Sequence, residues 1–191
     1  LLLDVLDHKH SRYILKGGRG SLKSSCCGTA IPLVMVEPGN ENVNALVLRK
    51  QQNTLRDSVY NQIISGIDRL GLSDEFQAFV SPLKIVRKAT GQEILFRGLD
   101  DRSVQQSALR GGSRFWTFLS FNPPETRSNF MNQAVLNPGP DTLVHSSTYL
   151  EVMSYHPDWL GDFFISEAEA LKESNPTAYA NEYLGEATGT G

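Results

Sequence analysis

Ten residues, Lys16-Gly17-Gly18-Arg19-Gly20-Ser21-Leu22-Lys23-Ser24-Ser25, constrain this chain more than any other stretch. They follow the apolar run Tyr13-Ile14-Leu15 and precede small and apolar residues from Cys26 to Val36, so the pattern predicts strand, glycine-rich turn and helix. Glycines at 17, 18 and 20 let the backbone aim successive N–H groups into one concavity, and a helix starting near Lys23 adds its positive N-terminal end. Phosphate is the natural guest of such a loop. Lys23 would reach the β- and γ-phosphates of a nucleotide, and the Ser24 hydroxyl would complete the shell of a Mg²⁺ ion. Gly17, Lys23 and Ser24 meet the spacing Gly-x-x-x-x-Gly-Lys-Ser/Thr, while Leu22 stands where that spacing expects glycine. A Cβ at that point crowds the approach of backbone to phosphate, so either the loop accommodates it or affinity suffers. The competing reading is a glycine-rich strand-to-helix turn carrying an exposed lysine.

Downstream, the helix from Lys23 meets Pro32 and stops before the loop Glu37-Pro38-Gly39-Asn40. Asn44 to Arg49 reads as a strand buried on both faces, as in a parallel sheet. Thr54 to Asp57 resembles a capping box for a helix with apolar residues at Leu55, Val59, Ile63, Ile64, Ile67 and Leu70, closed by Gly71. Strands follow at Phe76–Val80, Leu83–Arg87 and Glu93–Phe96, the last two forming a hairpin. A short helix is predicted over 103–110, then a strand over Arg114–Phe121, broken by Asn122-Pro123-Pro124, and a strand over Thr142–His145. Helices over Asp162–Lys172 and Pro176–Tyr183 precede a glycine-rich end. Strand, helix, strand, helix and further strands predict an α/β, phosphate-loop NTPase fold with a mainly parallel central sheet flanked by helices. The expected division is a core over 1–160 and a helical lid or linker segment over 161–191.

The 191 residues suffice for one domain with a proper core, and no apolar run approaches the ~20 residues of a membrane span. The opening Leu1 to Asp7 is too short and acidic for a signal peptide, and the absence of an initiator Met points to a piece of something longer. Cys26 and Cys27 are adjacent, without ligand spacing, and read as reduced, core-packing thiols of a cytoplasmic protein. Net charge is −3, yet residues 1–140 hold 17 Lys and Arg against 12 Asp and Glu, whereas residues 141–191 hold Lys172 against nine acids. The basic part suits a polyanion, and a solvated surface of mixed charge is equally compatible.

Nucleotide hydrolysis also needs an acidic site at the end of a buried strand. Asp100 and Asp101 are the candidates, yet Gly98 separates them from the apolar run Ile94-Leu95-Phe96, which fits turn residues better than metal ligands.

The set comprising the loop, Val47-Leu48-Arg49-Lys50, Phe96-Arg97-Gly98-Leu99-Asp100, Leu119-Ser120-Phe121-Asn122-Pro123-Pro124 and Tyr183-Leu184-Gly185-Glu186 resembles the N-terminal ATPase domain of large terminase subunits of tailed bacteriophages and prophages. The likeness runs over nearly the whole chain, and its last two signatures are the most particular. It implies an ATP-driven, Mg²⁺-dependent motor that moves double-stranded DNA into a procapsid. The implied partners are a portal protein, a small terminase subunit and further copies in a homo-oligomeric ring, with no membrane. The implied place is the host bacterial cytoplasm and, transiently, the procapsid portal.

Carried over by residue, Lys23 and Arg19 are catalytic, with Arg19 sensing or stabilising the γ-phosphate. Gly17, Gly18, Gly20, Ser21, Lys23, Ser24, Ser25 and Arg49 bind the nucleotide. Ser24, and weakly Asp100, hold the metal, and Ser120 and Asn122 belong to a motif coupling hydrolysis to motion. On the residues alone, Asn122 equally turns the chain before Pro123, and Arg49 equally is a strand-end surface charge.

Two departures stand out. Leu22 is one. The other is that the family's acidic strand belongs between Phe96-Arg97-Gly98-Leu99-Asp100 and Leu109-Arg110-Gly111-Gly112, where Asp101 to Ala108 are too few for it. A stretch near Asp101-Arg102 is therefore expected to be absent, and with it the catalytic Glu and any arginine finger; a Cα separation there well above ~3.8 Å is the corresponding sign. No nuclease activity is expected, since no cluster of three acids in ligand-like context occurs. Rival readings are another phosphate-loop protein, such as a nucleotide kinase or helicase-like ATPase, and an assembly domain with impaired nucleotide binding. His8 and His10 read as solvated, Trp116 and Trp159 as core anchors, and Lys84, Arg87, Lys88 and Arg97 as a charged hairpin face that could touch DNA phosphates.

Overall fold

The computed structural model describes residues 1–49, 56–98 and 116–189. Asp100, Asp101, the Thr54 capping box, the 103–110 helix and the junction at Asp101-Arg102 lie outside the described residues. The chain divides into two compact units: Leu2–Asp7 with Ser24–Phe115, and His8–Lys23 with Trp116–Gly191 and Leu1.

In the unit that carries the glycine-rich loop, β1 (Arg12–Gly17) is the middle strand of three, between β6 (Thr117–Phe121) and β7 (Thr142–Ser147), parallel to both. A middle parallel strand is covered on both faces, and Tyr13, Ile14 and Leu15 are all buried. Tyr13 stacks on Phe118 at 5.2 Å. The remaining elements of this unit are helical: α4 (Phe130–Leu136), α5 (Tyr149–Tyr155), a short 3₁₀ turn at Pro157–Trp159, α6 (Asp162–Ser174) and α7 (Pro176–Glu182). They gather a core of Tyr149, Ala168, Tyr179 and Tyr183, with Phe164 and Ile165 against it.

The other unit holds α1 (Leu2–Leu6), α2 (Lys23–Val36, entered from the loop), β2 (Ala45–Arg49), a π-type turn at Arg56–Tyr60, α3 (Asn61–Arg69), β3 (Phe76–Val80), β4 (Leu83–Arg87) and β5 (Glu93–Gly98). The strands form one sheet in the order β2-β5-β4-β3, with β2 and β5 parallel and the two hairpin pairings antiparallel. Of the strand pairings in the two sheets, those of β1 with β6, β1 with β7 and β2 with β5 are parallel, in keeping with the mainly parallel α/β fold that the sequence predicts. Ile63 and Ile67, one helical turn apart on α3, meet Met35 of α2 and Val47, Ile85, Ile94 and Phe96 of the sheet. Pro32 sits inside α2 without ending it.

The structure adds three elements that the sequence reading passed over. Asn129 caps α4 by accepting from the Met131 N–H at 3.0 Å. Thr148 and Glu151 form a reciprocal capping box at the start of α5. The turn at Pro157–Trp159 corrects the expectation for Trp159: it is 61% exposed and stacks flat on His156 at 4.0 Å instead of anchoring a core. Trp116 is half-buried beside His8, 5.2 Å away.

Candidate phosphate-binding site

The loop begins where the sheet ends. Register pairs Gly17 with Ser147, the last residue of β7, and an added Cβ on Gly17 would overlap the Ser147 carbonyl oxygen. Two residues of the loop then adopt the left-handed conformation, Gly20 at φ 72° and Leu22 at φ 59°, before α2 starts at Lys23. The glycine that the pattern expects at 22 is thus a conformational requirement. Leu22 meets it at a cost of roughly 1–2 kcal/mol for an L-residue.

Lys23 overturns the exposed-lysine reading, since it is 8% exposed. Its Nζ donates to the Gly18 carbonyl at 2.7 Å and to Ser21 Oγ at 3.0 Å, and Ser21 Oγ donates to the same carbonyl at 2.8 Å. Ser147 Oγ in turn donates to the Ser21 carbonyl at 3.2 Å. Loop oxygens therefore gather the ammonium at the N-terminal end of a 14-residue helix, where the peptide dipoles add to its charge. The combination favours an anion.

Arg19 is held by the far end of the same unit. Its N–H donates to the Glu182 carbonyl at 2.7 Å, and its guanidinium donates to the Tyr183 hydroxyl at 3.2 Å and lies over the Tyr183 ring at 5.3 Å. Glu182 and Glu167 stand 3.8 and 3.9 Å from it. Both pairs are half-exposed and so contribute little energy. Gly18 faces the Tyr183 carbonyl so closely that a Cβ would overlap it, and Gly20 faces the Phe164 ring.

The loop thus rests on the tyrosine core. Within that core Tyr149 and Tyr179 share a hydroxyl hydrogen bond of 2.8 Å. Burial, and then that hydrogen bond, push the Tyr149 phenol well above its ordinary range.

The other sequence candidates fall as follows. Ser24 is exposed in the first turn of α2, and Ser25 Oγ donates to Gln62 Oε1 at 3.1 Å. Ser120 lies opposite Leu15 and Phe121 opposite Lys16, so Asn122 leaves β6 level with Gly17; Ser120 and Asn122 are both exposed. Arg49 ends β2 in the other unit. On the hairpin, Lys84 donates to Glu93 at 2.6 Å, Arg87 pairs with Glu75 at 3.2 Å, and Lys88 donates to the Asp74 carbonyl at 2.9 Å. Burial raises the Cys26 thiol. Among the described residues no group of three or more His, Cys, Asp or Glu could hold a metal by itself, and no helix is long and apolar enough to cross a membrane.

Sequence reasoning missed Ser147, Phe164 and the bracing by Glu182, Tyr183 and Gly185. The one hint was the Tyr183-Leu184-Gly185-Glu186 signature, whose residues touch a loop more than 160 positions earlier in the chain.

Known proteins resemble this chain in sequence and in fold. The family of phage terminase large subunits matches residues 9–110. The large terminase subunit of Bacillus phage SPP1 is 33% identical over 221 positions, covering 96% of this chain and 50% of that protein. The PBSX phage terminase large subunit of Bacillus subtilis (strain 168) is 33% identical over 215, covering 92% and 49%. This chain spans about half the length of these curated relatives. Both alignments are longer than the chain's 191 residues, so each relative carries residues with no counterpart here.

Among solved structures, the large terminase of a thermophilic bacteriophage superposes with a TM-score of 0.69 at 14% identity, over 97% of this chain and 52% of that one. The large terminase of bacteriophage HK97 superposes with a TM-score of 0.66 at 12% identity, over 96% and 48%. The thermophilic phage enzyme has also been solved in complex with ATP-gamma-S, and that structure superposes with a TM-score of 0.64 at 14% identity, over 97% and 52%.

Proposed function

The chain belongs to the phage terminase large subunit family, and we propose that its glycine-rich loop binds ATP with Mg²⁺ and that hydrolysis there drives double-stranded DNA into a procapsid. The observation that carries this reading is the buried Lys23, held by Gly18 and Ser21 at the N-terminal end of α2. The ammonium already stands at the loop, where it can exchange the Gly18 and Ser21 oxygens for a β- or γ-phosphate oxygen.

In this reading the phosphates displace the Gly18 and Ser21 oxygens from Lys23 and take the N–H groups of the loop and of the first turn of α2, Ser24 and Ser25 included. Ser24 Oγ would be the protein's ligand to Mg²⁺, which would supply positive charge against the phosphates. Arg19 exchanges Glu167 and Glu182 for the γ-phosphate, and Arg49 is assigned a place near the nucleotide. Attack of water on the γ-phosphorus breaks its bond to the β–γ bridging oxygen, leaving ADP and phosphate; Lys23 and Arg19 stabilise the charge that spreads over the equatorial oxygens.

We assign the carboxylate that orients the water to residues that relatives carry between the counterparts of Asp101 and Arg102. Both alignments exceed the chain's 191 residues, so the relatives have the extra length that this assignment requires. Ser120 and Asn122 pass the change to the DNA-moving parts, with residues 161–191 as lid, and portal, small subunit and a ring of copies complete the machine.

Phosphate release from ATP tests the reading directly. The protein carrying this chain is expected to turn over ATP, and Lys23→Ala to lose at least about a hundredfold in rate, with procapsids no longer filling with nuclease-protected DNA. Equal turnover by the two proteins would overturn the assignment.

A further inference from the structure

We propose that Asn181–Gly189 is a strap that ties the glycine-rich loop to the Asn122-Pro123-Pro124 turn, and that the Asn181 carboxamide is its positioning residue. The proposal rests on the nucleotide reading of the loop.

One end of the strap is locked to the loop. The Glu182 carbonyl accepts from the Arg19 N–H at 2.7 Å, the Tyr183 carbonyl fills the space a Cβ on Gly18 would need, and Gly185, at φ 71°, lies against the backbone of Gly17 and Gly18. Backbone against backbone leaves no soft side chain to absorb a displacement of the loop.

The other end is locked to the turn. Asn181 Nδ2 donates to the Pro123 carbonyl at 3.0 Å and to the Glu186 carbonyl at 2.7 Å, so a single amide clamps the turn to the strap. Farther along, the Gly189 N–H donates to the Glu125 carbonyl at 2.8 Å, Arg127 Nε donates to the Ala187 carbonyl at 3.2 Å, and Gly189 bridges Thr126 in parallel pairing. From α4, Asn132 Nδ2 donates to the Pro124 and Thr126 carbonyls, both at 2.8 Å, which stiffens the turn from behind.

The sheet couples the two regions as far as Lys16 and Phe121. Beyond that point the strap touches both. In the nucleotide reading, arrival of phosphates breaks the Lys23 bond to the Gly18 carbonyl, and a shift of Gly18 toward the strap meets the Tyr183 carbonyl. Glu182, which holds Arg19, is the immediate neighbour of Asn181, which holds Pro123.

Amide hydrogen exchange with and without Mg²⁺ and ATP-gamma-S tests the link, on wild type, Asn181→Ala and the isosteric Asn181→Asp, which accepts but does not donate. In the wild type, nucleotide is expected to slow exchange at residues 18–23 and to change it at 125–127. In both variants the loop response and the nucleotide Kd stay within about threefold of wild type, whereas the response at 125–127 falls by at least half.

A merely structural Asn181 would raise exchange at 125–127 equally with and without nucleotide, leaving the difference intact, and that result overturns the proposal. So does a wild type in which the loop responds and 125–127 does not, a comparison that needs no variant to fold. Silence at 18–23 in the wild type removes the nucleotide reading itself, and the strap's role with it.

Discussion

Two clusters of buried residues, one around α3 and one beneath the glycine-rich loop, are built on different physics. Around α3 the core is mainly aliphatic, with Ile63, Ile67, Ile85 and Ile94 at most 3% exposed and Tyr60, Phe76 and Phe96 packed among them. Beneath the glycine-rich loop the core is aromatic and wired: Tyr149, Tyr179 and Tyr183 pack edge and face, two hydroxyls bond each other, and the third receives Arg19. The first draws its stability from volume and area, which many apolar sequences can supply. The second depends on oriented rings and closed hydrogen bonds, so its shape is specific and a loop can be set on it. A site that must place an ammonium to within a fraction of an ångström is better carried by the second kind.

Substitutions can break or sharpen this contrast. Ile63→Ala, a cavity in the aliphatic core, is expected to cost about 4 kcal/mol in urea unfolding while leaving nucleotide affinity within twofold. A large loss of affinity in the still-folded variant would blur the division.

Gly18→Ala drives a methyl into the Tyr183 carbonyl and is expected to cost about 3 kcal/mol. Unlike Ile63→Ala, it should also abolish ATP binding, because the strap and the loop cannot both keep their places.

Tyr149→Phe removes one hydroxyl bond for about 1 kcal/mol at neutral pH. Its pH signature is the sharper reading. The folded phenol ionises above its unfolded value of about 10, so above that pH the unfolded state holds fewer protons and stability falls as pH rises. Tyr149→Phe should lessen that alkaline loss in denaturation curves taken from pH 8 to 11, and an unchanged slope would remove Tyr149 as its source.

Leu22→Gly is the smallest effect. Relief of a left-handed leucine, worth about 1–2 kcal/mol, is partly offset by the greater backbone freedom of glycine when unfolded, for a net gain of about 0.5 kcal/mol in thermal unfolding. A loss instead would mean that the Leu22 side chain holds the loop.

Much of this was legible beforehand, and the reason is local. The loop, α2, the 3.6-residue spacing on α3 and the period-two strands around Gly91 are written in neighbouring residues, where propensity and packing agree. The helix caps were equally readable: the N-cap Asn129 and the capping box Thr148-x-x-Glu151 announce α4 and α5, and were passed over because the apolar stretches behind them are only seven residues long. Trp159 failed as a core anchor because a 3₁₀ turn after Pro157 turns its ring outward onto His156.

What no local pattern could supply is the company the loop keeps. Ser147 reaches Ser21, Tyr183 reaches Gly18 and Asn181 reaches Pro123 across more than 50 to 160 positions of chain. Such pairings follow from strand register and helix packing, which exist only once the chain has folded. Leu22 is the instructive middle case, since the sequence flagged it as a defect while the backbone adopts the conformation that glycine would have taken.

The most direct test of the whole account is calorimetric titration of ATP with Mg²⁺ into this domain and into Lys23→Ala. The expected result is saturable binding to the wild type and none to the variant, because the ammonium gathered by Gly18 and Ser21 is the group that meets the phosphates. Equal binding by both proteins, or binding by neither, would contradict it.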